Sequence, residues 1–282
     1  ETRPQNRDVT TDAQPATAET DGGLPRIDRR LLAGFAKYTG WTLRRQFHAI
    51  HVAGTQHLDS LRDTPVIVYL NHPSWWDPLT CLFLARHFLW QRPHYAVIDA
   101  AALQRYGFFR RLGFFGVEPG TTAGARTFLR QSLRALNANA GTLWLTPQGH
   151  FADCRARPVA LQPGLSHLVR RAPAQTHLLP LALEYPFGLE RQPEIAARFG
   201  EVVPVDDLRT ASTDTIDRHL SDTLAATMEA LARDVITRDT DAFDRSWSGA
   251  AGTDFCYDLW QRLKAWATGR RFERKHASVV RT

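Results

Sequence analysis

Hydrophobic and polar positions divide the chain into a run of alternating elements. Ile27, Leu31, Phe35 and Tyr38 recur at spacings of four, four and three. That period predicts a helix over Ile27–Trp41. Arg29, Arg30 and Lys37 give it charge, so it either packs on a core or lies in a membrane interface. Short apolar runs at Ala49–Ala53 and Val66–Leu70 predict strands, the second continuous enough to be buried on both faces. A helix is expected from about Leu79 to Leu89, a strand at Tyr95–Ile98 and a helix at Ala100–Arg111. Phe114–Val117 then predicts a strand before the Glu118-Pro-Gly120 turn. Phe128, Leu129, Leu133 and Leu136 mark one side of a helix over Thr122–Leu136. Thr142–Leu145 and Leu178–Leu183 predict strands around a helix at Leu165–Arg171, and Ser212 to about Arg238 predicts a long helix. This rhythm predicts an α/β domain, with helices covering a mixed, mostly parallel sheet.

The two ends break the rhythm. Residues 1–23 are Thr, Asp, Gln, Ala and Pro with almost no large apolar side chain. They bury too little surface to offset ordering entropy and read as a disordered tail. The domain is expected over residues 24–240, followed by a basic amphipathic segment over 241–282. In that segment Phe255, Leu259, Leu263 and Trp266 share a face.

Composition narrows the class. The 282 residues are 43% hydrophobic and 23% charged, values of a globular chain. No run approaches the roughly 18 apolar residues of a membrane span. Cys81, Cys154 and Cys256 form no disulfide framework and suit a reducing, intracellular setting. The net charge of +6 is matched by seven basic residues between Trp260 and Thr282 opposed only by Glu273, leaving a neutral body with a basic end. Tryptophans beside arginines suit lipid headgroups. No nucleic-acid motif accompanies the charge, so no nucleic-acid partner is expected.

The candidate chemistry lies in Tyr69-Leu-Asn-His-Pro-Ser-Trp-Trp-Asp-Pro78. His72 falls at a strand-to-helix turn, and Pro78 favours a helix start with Asp77 as its cap. The turn can bring the Asp77 carboxylate to the imidazole, fixing its tautomer for proton abstraction from an alcohol.

Asn-His-x-x-x-x-Asp after an apolar strand resembles the first signature of the glycerolipid (1-acylglycerol-3-phosphate-type) acyltransferases. Gly113-Phe-Phe-Gly-Val-Glu-Pro119, Thr146-Pro-Gln-Gly-His150 and Leu179-Pro-Leu-Ala-Leu183 follow in the order of that family's later motifs, with Pro163-Gly164 before the last. The resemblance spans about Phe47 to Leu183. It implies transfer of a fatty acyl group from acyl-CoA or acyl carrier protein to a hydroxyl of a lysophospholipid or related lipid. His72 would be the base and Asp77 its orienting partner. No metal or other cofactor is implied, because a thioester is already activated. His150 and Cys154 lack the further ligands a metal would need. Backbone N–H groups near Pro147-Gln-Gly149 are candidate oxyanion donors. Asn71, Ser74, Pro147, Gln148, Gly149, His150, Arg155 and Arg157 are the expected substrate-binding residues. Trp75 and Trp76 could line the entrance, and Arg110, Arg111, Arg126 and Arg130 could meet CoA phosphates. No Gly-x-Ser-x-Gly elbow suggests a serine hydrolase.

Two departures affect the acceptor. The second motif normally ends in an arginine suited to a phosphate; here Pro119 stands there. The third motif's glutamate is Gln148, and its Thr-Arg is His150-Phe151. Arg155 or Arg157 could restore the charge, or the acceptor could be a glycolipid or glycosylated isoprenoid, such as a carotenoid glycoside. The expected setting is the cytoplasmic face of the cell membrane, peripherally bound; the other class left open is a non-catalytic lipid-binding protein.

Overall fold

The computed structural model describes residues 23–188, 190–238 and 240–249. The tail expected over 1–23 therefore falls almost entirely outside the described residues, as does the amphipathic run from Phe255 to Trp266 with its basic flank.

Among the described residues, nine strands form one sheet: β1 (Ala49–Ala53), β2 (Val66–Leu70), β3 (His94–Asp99), β4 (Phe114–Val117), β5 (Thr142–Leu145), β6 (His177–Glu184), β7 (Ile195–Phe199), β8 (Val203–Pro204) and β9 (Arg245–Ser248). Their order is β4-β3-β5-β2-β6-β7-β1-β9, with β8 paired to β6. The pairings from β4 across to β6 are parallel, as is β1 with β7. β7 and β8 run antiparallel to β6, and β9 antiparallel to β1. The expected mixed, mostly parallel α/β sheet is thus present.

Six α-helices accompany it among the described residues: α1 (Arg29–Gln46), α2 (Asp77–Phe88), α3 (Ala100–Arg105), α4 (Thr122–Leu136), α5 (Gly164–Val169) and α6 (Thr213–Thr237). Successive side chains of a strand point to opposite faces, and β2 divides them. Ile67 and Tyr69 join Leu136, Leu165, Leu168, Leu220 and Leu224 in a core under α4, α5 and α6. Val66, Val68 and Leu70 join Leu43, Phe83 and Leu84 in a second core under α1 and α2. Both faces being covered explains why β2 reads as an unbroken apolar run.

Several elements differ from expectation. α1 continues to Gln46, five residues past Trp41, keeping Leu43 in the core. The helix expected over Ala100–Arg111 breaks after Arg105 and resumes as a 3-10 turn at Gly107–Leu112, because Gly107 is a poor helix former. α2 begins at Asp77, so Asp77 is not its cap; Trp76 occupies that position and makes no side-chain capping bond. The Asp77 carboxylate turns toward His72 instead. Strands β7 and β9 carry no strong apolar pattern. Arg198 in β7 is paired to Asp234 of α6 at 2.6 Å, and β9 is the polar sequence Arg-Ser-Trp-Ser. β9 extends the sheet past residue 240.

Candidate active site

The parallel strands β5, β2 and β6 end side by side, with Tyr69 opposite Leu145 and Leu70 opposite Leu181. Loops leaving the carboxyl ends of such strands are where α/β sheets place ligands. Here the loop after β2 carries His72, the loop after β5 carries Gln148, and the chain after β6 carries Tyr185.

Asn71 locks two of these strands together. Its Nδ2 donates to Leu183 O at 2.9 Å, and its Oδ1 accepts from Leu183 N–H at 2.8 Å. Asn71 is buried, so this two-way bond satisfies groups that would otherwise be costly. The His72 N–H donates to Gln148 Oε1 at 2.9 Å, and His72 O accepts from Ala152 N–H at 2.9 Å. The backbone of His72 is thereby clamped by the loop after β5 on both sides.

The side chain of His72 is 18% exposed and that of Asp77 only 1%. His72 Nδ1 lies 2.6 Å from Asp77 Oδ2. An ionised carboxylate only accepts, so Nδ1 carries the proton and Nε2 keeps its lone pair. The same Oδ2 accepts from Ser74 N–H at 3.1 Å, while Oδ1 accepts from the Tyr185 hydroxyl at 2.6 Å. The Tyr185 proton being committed to Asp77, the Thr80 hydroxyl donates to the Tyr185 oxygen at 3.1 Å. Burial, with Asp77 beside it, raises the Tyr185 phenol well above its ordinary range, so it remains a donor. Burial and the same carboxylate likewise push the Cys81 thiol up, which leaves it unreactive as a nucleophile.

Phe151 covers part of the imidazole: the ring centroids are 4.3 Å apart and tilted by 36°. Phe151 is itself exposed, so it borders the approach to His72. Gly149 has φ of 75°, a left-handed conformation that favours glycine. Its N–H is taken by Thr146 O at 3.0 Å. Pro147 has no N–H, so of the expected oxyanion donors in this turn only Gln148 N–H remains.

The other expected substrate residues have varied surroundings. Ser74 uses its Oγ to accept from Trp76 N–H, and His150 is exposed beside Phe151. Arg155 is paired with Asp153 through Nε and Nη2 at 2.9 and 2.8 Å, and holds that carboxyl well below its usual range. Arg157 reaches Glu229 of α6 at 2.9 Å. Both arginines also oppose the burial that raises the Glu184 carboxyl at the end of β6. The two guanidinium groups expected to replace the missing motif arginine are thus each matched by a carboxylate. Trp75 is exposed and Trp76 partly buried against Phe47. Arg110, Arg126 and Arg130 are exposed, while Arg111 pairs with Asp28 at 2.5 Å. Among the described residues, no group of three His, Cys, Asp or Glu side chains is placed to hold a metal ion.

Tyr185, Thr80 and the stacking of Phe151 were not legible as site features. The one available signal was position: Tyr185 follows Leu179-Pro-Leu-Ala-Leu183 by two residues, just past the end of that predicted strand.

Residues 49–184 match the family model described as Acyltransferase, a span running from the first residue of β1 to the last of β6. No curated protein matches the chain.

Proposed function

We propose, from the match of residues 49–184 to the acyltransferase family model, that the protein moves a fatty acyl group from acyl-CoA or acyl carrier protein to a hydroxyl of a lysophospholipid or related lipid. The observation that carries this reading is the His72–Asp77 pair, whose buried carboxylate is held by three donors.

The chemistry follows from that pair. Nε2 of His72 takes the proton of the acceptor hydroxyl as its oxygen attacks the thioester carbonyl. Asp77 balances the imidazolium that forms. The oxyanion of the tetrahedral intermediate needs fixed donors, and Gln148 N–H is the one this loop offers. Collapse breaks the C–S bond, and the imidazolium returns the proton to the departing thiolate. The net result is an ester and a free thiol. No metal or resident cofactor is invoked.

One observation favours a second reading of the acceptor. At the motif positions Pro119, Gln148 and Phe151 the chain carries no positive charge, and Arg155 and Arg157 are already paired. A neutral head group, as in a glycolipid or glycosylated isoprenoid, places no anion in that surrounding. The test is acyl transfer by the purified protein, with labelled acyl-CoA or acyl carrier protein, to competing lysophosphatidic acid, other lysolipids and glycolipids. Transfer that disappears in His72→Ala supports the enzyme reading. Preferred use of lysophosphatidic acid removes the neutral-acceptor reading, and no transfer to any hydroxyl leaves the lipid-binding alternative. The setting that fits a lipid acceptor is peripheral, on the cytoplasmic face of a membrane; among the described residues no helix is long and apolar enough to cross one.

A further inference from the structure

Large aromatic side chains are exposed along one side of the molecule and are joined to each other. On α1, Tyr38 and Trp41 are 55% and 58% exposed, with ring centroids 6.1 Å apart. Phe35 stacks on Tyr38 at 6.1 Å and meets Phe108 of the Gly107–Leu112 turn edge-on at 5.8 Å. Phe108 is exposed and stacks on Phe109 at 4.3 Å. A packed helix normally turns such side chains inward, and α1 does turn Leu32, Ala36, Thr39 and Leu43 inward. Its outer face is therefore not a core face left uncovered by accident of length.

The charge around these rings has one sign. Residues 29–46 and 100–117 together contain eight basic residues and no acidic one. Asp28 at the start of α1 is paired with Arg111. Arg45 lies over the Trp41 ring at 5.4 Å and Arg105 over Tyr106 at 5.4 Å. Aromatic rings flanked by arginine and lysine match the boundary between acyl chains and anionic headgroups, where the ring enters and the cation stays at the phosphates.

α1 is tied to the catalytic turn through its buried end: Phe47, just past α1, is 1% exposed and packs edge-on against Trp76 at 5.1 Å, and Trp76 packs against Trp75 at 5.4 Å. Trp75 is 69% exposed and lies between His72 and Asp77 in the catalytic turn. We propose that the outer face of α1 with the Gly107–Leu112 turn docks on an anionic lipid bilayer, so that the Trp75 side of the catalytic turn faces the lipid. This rests on the reading of the acceptor as a lipid, and it locates the membrane contact in the folded domain rather than in the basic C-terminal segment alone.

The test is co-sedimentation of the full chain with phosphatidylcholine vesicles, with and without phosphatidylglycerol. Tyr38→Ser/Trp41→Ser/Phe108→Ser should weaken partitioning about tenfold or more, each lost ring removing buried apolar area. Lys37→Glu/Arg45→Glu should weaken binding to the anionic vesicles and reduce its salt dependence. Melting temperatures should match the parent, because the changed side chains are exposed. His72→Ala should bind as the parent does, which separates this proposal from the acyl-transfer reading. Parental binding by both surface variants, or loss of binding only when Arg270, Arg271, Arg274 and Lys275 are neutralised, overturns the proposal. So does a dimer by light scattering that the triple substitution dissolves, since a second copy would then cover this face.

Discussion

Replacing Tyr185 by phenylalanine separates the orienting of Asp77 from the chemistry of His72. The ring stays, packed near Phe47 with centroids 5.8 Å apart, and only the hydroxyl that reaches Asp77 Oδ1 at 2.6 Å is lost. Asp77 is charged and 1% exposed, so water cannot take the place of that donor. A hydrogen bond to a buried charge is worth about 1.5–3 kcal/mol. For a domain of this size that loss lowers the melting temperature by roughly 3–12 °C. Ser74 N–H and His72 both bond Oδ2, so the carboxylate keeps its attachment on one oxygen and becomes free to rotate about it. His72 then spends part of its time misaligned. If half of the lost bond energy appears in the barrier, kcat falls about four- to twelvefold. The Michaelis constant should stay unchanged, because Tyr185 is placed to touch Asp77 and Thr80 rather than substrate. The assay is steady-state acyl transfer with a melting curve on the same preparation. A Tyr185→Phe protein with parental kcat and melting temperature would refute the reasoning. A raised Michaelis constant with kcat intact would show that the hydroxyl meets the acceptor instead.

Three further outcomes are expected. Asn71→Ala leaves Leu183 N–H and C=O unpaired between β2 and β6, costing about 2–6 kcal/mol in denaturant unfolding; a loss below about 1 kcal/mol would mean the strand ends relax. His94 is held neutral, accepting from Trp144 Nε1 at 3.1 Å and donating to Leu89 O at 2.9 Å, and burial lowers it from 6.5 to about 4. The unfolded chain binds a proton there that the native state does not, so stability should fall by about 3 kcal/mol as pH drops from 6.5 toward 4. Burial lowers His51 and His87 as well, which adds to the same slope; calorimetry over this range should show a shallower fall for His94→Gln. Gly54→Ala should destabilise strongly, since φ is 76° and the new Cβ would sit 2.0 Å from Phe199 O; a melting temperature within a degree or two of the parent would contradict that contact.

Local pattern and long-range pairing contributed differently to this protein. The buried strands β2, β5 and β6 and the amphipathic helices α4 and α6 were legible because apolar residues recur at the period of each element. His72 and Asp77 were legible because five residues of turn suffice to bring them together. β7 and β9 were not: β7 is a five-residue segment with two alanines and an arginine, and β9 is polar, so each depends on its pairing with β6 or β1 rather than on its own strand preference. Asp77 read as a helix cap because capping is a local bond. The structure gives its carboxylate to His72 and to Tyr185, which lies 108 residues away.

The sequence by itself determined the α/β class, the order of the central elements and the His–Asp pair, all of which depend on near neighbours. Only the tertiary structure decided how Asp77 is held, that Arg155 and Arg157 are matched by Asp153 and Glu229, and that the rings of α1 meet Phe108. These follow from parallel strands that end together and from helices laid across them, which bring distant residues within hydrogen-bond reach without leaving a periodic trace.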